Sequence, residues 1–304
     1  MDFGQIEALT QFRSFDRTLP DELAEHAGGA EILIVNKVPF GREAFAVLPE
    51  LKLLCVIATG VNNVDLEAAS DAGVAVVNVR DYAAASVSQH VFLLTLALTT
   101  RFRDYQRDID SGRWQAQEQF CLLDHPIREL SGKTLGLIGY GHIARAVERI
   151  GRAFGMEVLV AESLRPGAGS QPGRVPLDRL LQDSDVISLH CPLSEYSRGL
   201  IGAAELRRMK PEALLINTAR GGIIDEAALL EALLQGQIGG AGLDCLEQEP
   251  PAPDHPLLNA GLPNLILTPH NAWGAREARQ RLVDGTADNI RHFLAGETPN
   301  RVNR

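Results

Sequence analysis

Short apolar runs rich in valine, isoleucine and leucine alternate with helix-like segments along most of this chain of 304 residues. The alternation predicts βαβ units, in which helices join parallel strands. A first series has predicted strands at 31–35, 53–58 and 74–79. A second series has predicted strands at 134–139, 157–162, 185–190, 213–218, 239–244 and 264–269. A long helical stretch at about 84–112 separates the two series, and a last helix at about 275–294 precedes a polar tail.

The number of strands in each series predicts the domain organisation. Six parallel strands are enough for a complete doubly wound dinucleotide-binding domain of the Rossmann type. The first series has too few strands for such a domain and predicts a smaller α/β domain. The expected fold class is therefore α/β with two domains.

The composition narrows the classes of protein that fit this fold. The apolar content of 45% is enough for an extensive core, and the formal net charge of −10 argues against binding to nucleic acid. The longest apolar stretch, 91–98, is too short to cross a membrane. The cysteines are Cys55, Cys121, Cys191 and Cys245. Their spacing is not that of a metal site, so we expect reduced thiols, no metal ion and a cytoplasmic location.

A glycine-rich turn follows the first strand of the second series. Gly139 permits a tight turn, and Gly141 lets the backbone approach a pyrophosphate. Ala144 is small enough for close contact between the helix and the strand. The helix has His142 and Ile143 in its first turn, and its amino end favours an anion. This pattern predicts a dinucleotide site.

An acidic residue, Glu162, closes the next predicted strand. A carboxylate at this position accepts hydrogen bonds from both ribose hydroxyls and repels a 2′-phosphate, so NAD(H) is favoured over NADP(H). Arg165 follows three residues later, and an arginine tolerates a 2′-phosphate. NADP(H) therefore stays open as a second cofactor.

Three polar side chains, Arg220, Glu249 and His270, each come shortly after one of the last three predicted strands. A guanidinium binds a carboxylate in a bidentate manner, an imidazole transfers protons near neutral pH, and a carboxylate can orient that imidazole. Any one of these residues alone would more often be structural. Together they predict a site that binds and protonates a small oxo acid.

Several motifs occur in an order that is typical of one family. They are ATGVNNVD (58–65), GYGHIA (139–144), HCPL (190–193), NTARGGIID (217–225), GLDCLEQEP (242–250) and TPH (268–270). With these motifs the chain resembles the D-isomer specific 2-hydroxyacid dehydrogenase family over nearly its whole length. Glu162 and the segment PHNAW (269–273) resemble most closely its glycerate dehydrogenase (hydroxypyruvate reductase) branch.

The resemblance implies a role for each of the three polar residues. Arg220 would pair with the carboxylate and the C2 oxygen of the substrate. His270 would donate a proton to the keto oxygen in reduction and remove it in the reverse reaction. Glu249 would orient the imidazole and stabilise its protonated form. The backbone amides of Gly60 and Val61 would receive the substrate carboxylate.

The resemblance also implies contacts with the cofactor beyond the glycine turn and Glu162. Cys191 and Pro192 would line the adenine side. Three residues would hold the nicotinamide end, with the carboxylate of the last facing the carboxamide: Thr218, Ala219 and Asp244. Trp273 is either a wall of this pocket or an ordinary packing residue.

The domain boundaries and the oligomeric state follow from the same resemblance. It predicts that the Rossmann domain, residues 100–283, is inserted in a flavodoxin-like substrate domain of residues 1–99 and 284–304. The chain opens at a helix-like segment, so either the substrate domain lacks its first strand or the natural start lies upstream. Relatives make two-fold contacts at the end of the long helical stretch, so a homodimer is expected.

The identity of the substrate stays open among small 2-oxo acids and their 2-hydroxy acids. Hydroxypyruvate and glyoxylate, which would give D-glycerate and glycolate, come first, and D-lactate-type reduction of pyruvate is an alternative. A different class is an NAD(H)-sensing, corepressor-like binding protein, since such relatives can keep the same three polar residues. The preferred direction of the reaction also stays open.

Overall fold

Two parallel β-sheets organise the protein, which is described from a computed structural model covering residues 1–165, 167 and 171–303. The elements up to residue 99 are α1 (Gly4–Glu7), a 3₁₀ helix (Pro20–Glu22), α2 (Leu23–Ala27), β1 (Ile32–Val35), α3 (Arg42–Ala46), β2 (Leu53–Val56), α4 (Leu66–Asp71), β3 (Ala75–Asn78) and α5 (Ala84–Thr99). The later elements are α6 (Phe102–Asp110), β4 (Thr134–Ile138), α7 (His142–Ala153), β5 (Glu157–Val160), α8 (Leu177–Asp183), β6 (Val186–Leu189), α9 (Ala203–Arg208), β7 (Leu214–Asn217), α10 (Glu226–Leu234), β8 (Gly240–Leu243), α11 (Pro256–Asn259), β9 (Leu265–Leu267) and α12 (Arg276–Leu294).

The chain divides into two compact units that are interleaved in sequence. The first unit consists of Met1–Ala83 and Gly274–Arg304, and the second of Ala84–Trp273. Both boundaries differ from the predicted ones. Helix α5 falls in the second unit because it packs against α7, β7 and β8. Helix α12 belongs whole to the first unit because it packs against α1 and β2.

The first unit is built on a parallel sheet in the order β1-β2-β3. Strands β2 and β3 are buried on both faces of this sheet. Successive side chains of a strand point to opposite faces, so each face has its own apolar set. One face carries Leu54, Val56 and Val76. The other face carries Leu53, Cys55, Ala75 and Val77, which pack with Val283, Ala287 and Ile290 of α12. The helix that follows the second unit in sequence therefore completes the core of the first.

Residues close to the end of the chain extend this sheet beyond β3. Arg301 forms an antiparallel bridge with Val77, and the amide of Val302 donates to the carbonyl of Val76 at 2.8 Å. Asn303 is buried, and its Oδ1 accepts from the amide of Val76 at 2.8 Å. The tail predicted as simply polar thus protects the edge of β3.

The second unit contains a parallel sheet in the order β5-β4-β6-β7-β8-β9. A single-residue parallel bridge between Ala161 and Val175 extends it beyond β5. Strands β6, β7 and β8 are buried throughout, as expected of a parallel sheet covered by helices on both faces. The chain reverses its direction of winding between β4 and β6, and ligands of such sheets bind at the carboxyl ends of the strands near this point.

The long helical stretch predicted at about 84–112 is wrong as one helix, because it breaks at Arg101. Arg101 has a left-handed backbone with φ of 53°. The side chains of Thr99 and Thr100 return to helix carbonyls of the preceding turn at 2.9 and 2.6 Å, a pattern that weakens helices. No helix within the described residues is both long and apolar enough to cross a membrane.

Candidate active site

The glycine turn lies where the predicted cofactor site requires it, between β4 and α7. Gly139 has φ of 86°, and a Cβ there would come within 2.5 Å of the backbone nitrogen of Cys191, at the end of β6. Only glycine fits this position. Ala144 is fully buried against the sheet, so the predicted reason for its small size holds in the structure.

Gly141 borders open space at the amino end of α7. A Cβ on Gly141 would have no atom within 4 Å beyond its own neighbours in the chain. In the first turn of the helix, His142 is exposed and Ile143 is half-buried. Helix α7 has 12 residues, and the amino end of such a helix attracts an anion. The open space and the helix dipole fit a pyrophosphate group.

Glu162 comes two residues after β5, the strand that neighbours β4 in the sheet. Its amide donates to the carbonyl of Val175 at 2.9 Å. Its half-buried carboxylate makes no hydrogen bond or ion pair with any other residue in the described part of the chain, so its acceptors remain available. Cys191 is buried, and burial raises the pKa of its thiol to about 11. Pro192 beside it is exposed. Within residues 1–165, 167 and 171–303, no group of three or more acidic, histidine or cysteine side chains could hold a metal ion.

The loop after β7 carries Arg220 and is folded around Asn217. The amide nitrogen of the Asn217 side chain donates to the carbonyl of Arg220 at 2.8 Å, and its Oδ1 accepts from the amide of Ala219 at 3.0 Å. The guanidinium of Arg220 donates to the carbonyl of Ala219 at 2.6 Å. The hydroxyl of Thr218 is buried without a hydrogen-bond partner in the described residues, which leaves a donor for a ligand. Asn217 was missed as a site residue.

Glu249 and His270 come together, as the sequence predicted. Oε1 of Glu249 accepts from the amide of Leu246 at 3.0 Å, and Oε2 lies 2.6 Å from Nδ1 of His270. Because a carboxylate only accepts hydrogen bonds, Nδ1 carries the proton and Nε2 is left to face a ligand. The peptide bond between Glu249 and Pro250 is cis.

The charges of Glu249 and Arg220 act on one buried side chain, Cys245. Burial raises the pKa of the Cys245 thiol strongly, the carboxylates of Glu249 and Asp244 raise it further, and the guanidinium of Arg220 opposes them. The loops after β7 and β8 therefore bring a cation and an anion to the same end of the sheet, where His270 follows β9.

His270 itself has a left-handed backbone, with φ of 51°. Histidine adopts this conformation only uncommonly, so its loop must hold it. The indole nitrogen of Trp273 donates to the carbonyl of His270 at 2.9 Å. Trp273 is half-buried, and this contact gives it a packing role whether or not it also borders the cofactor.

Asp244 is buried at the end of β8, and its carboxylate is engaged within the loop of His270. Oδ1 accepts from the hydroxyl of Thr268 at 2.6 Å and from the amide of Asn271 at 3.0 Å. Oδ2 accepts from the amide of Ala272 at 2.8 Å. A carboxylate has about four acceptor positions. Contact with a carboxamide therefore stays a prediction for the one acceptor position that remains.

The predicted substrate-binding residues Gly60 and Val61 lie in the first unit, half-buried after β2. Their loop is fixed from within that unit. The side chain of Asn78 donates to the carbonyl of Thr59 at 2.7 Å, and Asn289 of α12 donates to the carbonyl of Asn78 at 3.0 Å. Their amides stay a prediction as ligands of a carboxylate.

Two pairs that support the site were also missed. His90 of α5 lies 2.9 Å from the hydroxyl of Thr268. His255 lies 3.0 Å from Glu226 of α10, which also accepts from the amide of Glu247. The sequence signals were that His90 lies in the helical stretch between the two series of strands and that Thr268 lies in the TPH motif.

Comparisons with known proteins agree with this geometry. Residues 92–272 match the family model of the D-isomer specific 2-hydroxyacid dehydrogenase, NAD binding domain. The chain is 45% identical to glycerate dehydrogenase of Methylorubrum extorquens over 96% of this chain and 92% of that one. It is 38% identical to hydroxypyruvate reductase of Blautia hydrogenotrophica over 100% and 95% of the two chains. Its fold matches apo D-lactate dehydrogenase of Escherichia coli with a TM-score of 0.83 and 32% identity, over 99% of this chain and 95% of that one. The chain therefore belongs to the D-isomer specific 2-hydroxyacid dehydrogenase family.

Proposed function

We propose that this NAD-dependent D-2-hydroxyacid dehydrogenase reduces hydroxypyruvate or glyoxylate to D-glycerate or glycolate, and catalyses the reverse oxidation. The observation that carries the proposal is the 2.6 Å hydrogen bond between Nδ1 of His270 and Oε2 of Glu249, at the sheet end that also bears Arg220. The names of the two relatives above support this choice of substrates.

The proton is the part of the reaction that this chain supplies. Nδ1 of His270 is committed to Glu249, so Nε2 is the atom that gives a proton to the substrate oxygen or takes it back. The Glu249 carboxylate holds the imidazole in this orientation through a charge-assisted hydrogen bond. Charge-assisted hydrogen bonds of this kind are roughly twice as strong as neutral ones.

Arg220 is proposed to bind the substrate carboxylate. Its planar guanidinium suits a bidentate pair better than a lysine would. In the structure one of its N–H groups donates to the carbonyl of Ala219, and the remaining N–H groups of the guanidinium are enough for a bidentate pair with a carboxylate. Gly60 and Val61 of the first unit are proposed to add two backbone amides, and we propose that the first unit is the substrate domain.

The second unit is proposed to hold NAD(H) through residues that follow each of its six strands. Gly139, Gly141 and the first turn of α7 would take the pyrophosphate, and Glu162 the adenosine ribose. The cofactor supplies the hydride when it is bound. Cys191, Pro192, Thr218, Ala219, Asp244 and Trp273 complete the proposed cofactor residues.

A kinetic comparison tests the proposed reaction. NADH oxidation is measured with hydroxypyruvate, glyoxylate and pyruvate, and we expect kcat/KM for one of the first two to exceed that for pyruvate by about tenfold or more. A preference for pyruvate would instead indicate a D-lactate-type enzyme. Tight NADH binding without turnover, together with capture of a partner protein, would favour the corepressor-like class.

A matched pair of variants tests the assignment of the proton donor. His270→Ala should lower kcat by about a hundredfold or more while NADH still binds. His292 is the control, because its Nδ1 also faces a glutamate, Oε2 of Glu297 at 2.9 Å, but on the first unit. His292→Ala should keep full activity. Full activity in His270→Ala would refute the assignment.

A homodimer is proposed on the apolar surface of residues 102–127. Phe120 is 89% exposed and Leu123 is 77% exposed, and four further large apolar side chains of this segment are exposed: Phe102, Ile109, Trp114 and Ile127. A cluster of exposed apolar side chains of this size is typical of a protein–protein interface. A second copy of the protein can cover this surface with its own identical surface through two-fold symmetry. Sedimentation of a Phe120→Ser/Leu123→Ser variant should show monomers. Leu234→Ser, at an exposed leucine of α10, is the control that should stay dimeric.

A cytoplasmic location is proposed on the state of the cysteines. All four are free thiols, and Cys55, Cys191 and Cys245 are buried. Unpaired, buried thiols are typical of proteins that stay in a reducing compartment. Fractionation of cells that express the tagged protein tests this, and recovery in the membrane or secreted fraction would contradict it.

A further inference from the structure

The loop that carries His270 is held by one buried carboxylate. Asp244 accepts from the amides of Asn271 and Ala272, the two residues that follow His270. These contacts fix the chain immediately after the left-handed residue, so they decide whether its side chain can reach Glu249. Whatever orients Asp244 therefore also orients His270.

The third partner of Asp244 is a hydroxyl, and its single proton sets the direction of a chain of hydrogen bonds. Oγ1 of Thr268 lies 2.6 Å from Oδ1 of Asp244 and 2.9 Å from Nε2 of His90. A carboxylate only accepts, so the Thr268 proton goes to Asp244. Nε2 of His90 must then carry a proton of its own and donate it to Thr268. This series of hydrogen bonds runs from His90 through Thr268 to Asp244.

His90 is placed so that this arrangement is stable. Its side chain is only 12% exposed, in helix α5, and Nε2 is also 3.6 Å from Oδ1 of Asp244. Burial lowers the pKa of His90, although the Asp244 carboxylate opposes this effect. A neutral imidazole with a proton on Nε2 can donate a hydrogen bond to Thr268 without placing a second charge in the core.

We propose that His90 is a positioning residue for the catalytic His270 and acts on it through Thr268 and Asp244. The proposal rests on the proposed function, in which His270 is the proton donor. Without the donor at position 90, the hydroxyl of Thr268 is free to turn away from Asp244. The loop then loses its fixed end, and the hydrogen bond from Nδ1 of His270 to Glu249 is no longer held.

Four variants of the full-length protein test this series of hydrogen bonds. His90→Leu removes the donor, and His90→Gln replaces it with an amide nitrogen of similar reach. Thr268→Val removes the hydroxyl at nearly constant shape. Thr95→Val is the control, because it removes a threonine hydroxyl of the second unit that returns to the carbonyl of Val91 at 2.8 Å and has no bond to Asp244.

The kinetic expectation separates positioning from a merely structural effect. His90→Leu and Thr268→Val should lower kcat about ten- to a hundredfold, with KM for NADH changed by less than about twofold. His90→Gln should recover kcat to within about threefold of the wild type. Thr95→Val should change neither constant. A lower Tm of His90→Leu with an unchanged kcat would overturn the proposal.

A second readout does not depend on turnover. Nitrogen-15 NMR of histidine-labelled protein reports which ring nitrogen of His270 carries the proton. The wild type should show the proton on Nδ1, and Thr268→Val and His90→Leu should shift it towards Nε2, while Thr95→Val should not. An unchanged tautomer in both variants would overturn the proposal. If the wild type reduces no 2-oxo acid, the proposed function fails, yet the tautomer shift still decides whether His90 positions His270.

Discussion

Gly221 lies against the backbone of Leu246, so that a Cβ on Gly221 would come within 1.9 Å of the carbonyl oxygen of Leu246. This contact joins the loop of Arg220 to the loop of Glu249. Gly221→Ala must push the two loops apart, because neither side of the contact is a flexible side chain. We expect kcat/KM to fall by about a hundredfold and stability to fall by roughly 3 kcal/mol. Steady-state kinetics and urea denaturation measure both effects.

Gly41→Ala is the control for this loss of space. Gly41 precedes α3 with φ of −94°, and a Cβ there would have no neighbour within 4 Å. The substitution should change stability by less than about 1 kcal/mol and leave kcat/KM unaltered. If Gly221→Ala were as harmless as Gly41→Ala, the close approach of the two loops would be wrong.

The two glycines of the dinucleotide turn should respond differently to alanine. Gly139→Ala combines a positive φ with a Cβ 2.5 Å from the backbone of Cys191, so the free protein should lose about 2 kcal/mol or more. Gly141→Ala meets open space, so the free protein should keep its Tm. The new methyl would occupy the proposed pyrophosphate position and weaken NADH binding by about tenfold or more, or about 1.4 kcal/mol. Thermal denaturation with and without NADH separates the two cases. A normal NADH-dependent rise of Tm in Gly141→Ala would count against the cradle.

Glu162 should control the choice between NADH and NADPH. Its carboxylate would accept from the ribose hydroxyls of NADH and repel the additional phosphate of NADPH. Glu162→Ala should reduce the ratio of kcat/KM for NADH over NADPH by about tenfold or more. Arg165→Ala should change the ratio in the opposite direction by removing a cation near the phosphate. An unchanged ratio in Glu162→Ala would remove this residue from the cofactor assignment.

His190 makes stability depend on pH in the acidic range. Burial lowers the pKa of His190 to about 4, whereas in the unfolded chain it is about 6.5. Between these values the unfolded chain binds a proton that the folded protein does not, so stability is lost as pH falls from about 6.5 to about 4. In His190→Gln, the fall in the free energy of unfolding over this pH range should be smaller than in the wild type by about 1–3 kcal/mol. Urea denaturation at several pH values measures it, and parallel curves for variant and wild type would contradict the assignment.

The fold could be predicted from the sequence where the signal is local. Each predicted strand contains an observed one, because a buried parallel strand needs a continuous apolar run. The start of α10 has a local signal too, because Asp225 precedes it and its side chain accepts from the amides of Ala227 and Ala228. The break at Arg101 was missed because the residues on both sides of it have a helical pattern. The hydrogen bonds from the hydroxyls of Thr99 and Thr100 to helix carbonyls are visible only in the folded structure.

The supporting contacts of the site could not be predicted, for a related reason. The hydrogen bond between His90 and Thr268 joins residues 178 positions apart, and no local pattern encodes such a pairing. Asp244 was identified in a motif, but its role within the loop of His270 depends on three donors that only the folded chain assembles. The roles of Arg220, Glu249 and His270 were accessible because the ends of parallel strands meet at one edge.

The interleaving of the two units has a consequence for synthesis on the ribosome. The face of the first sheet that bears Leu53 and Cys55 is covered by α12, which follows the whole of Ala84–Trp273. At translation rates of about 5–20 residues per second, that face stays uncovered for roughly 10 to 40 seconds after β3 has emerged. During this interval the second unit can fold, since its strands are contiguous in sequence. The unit whose strands are made first is therefore completed last.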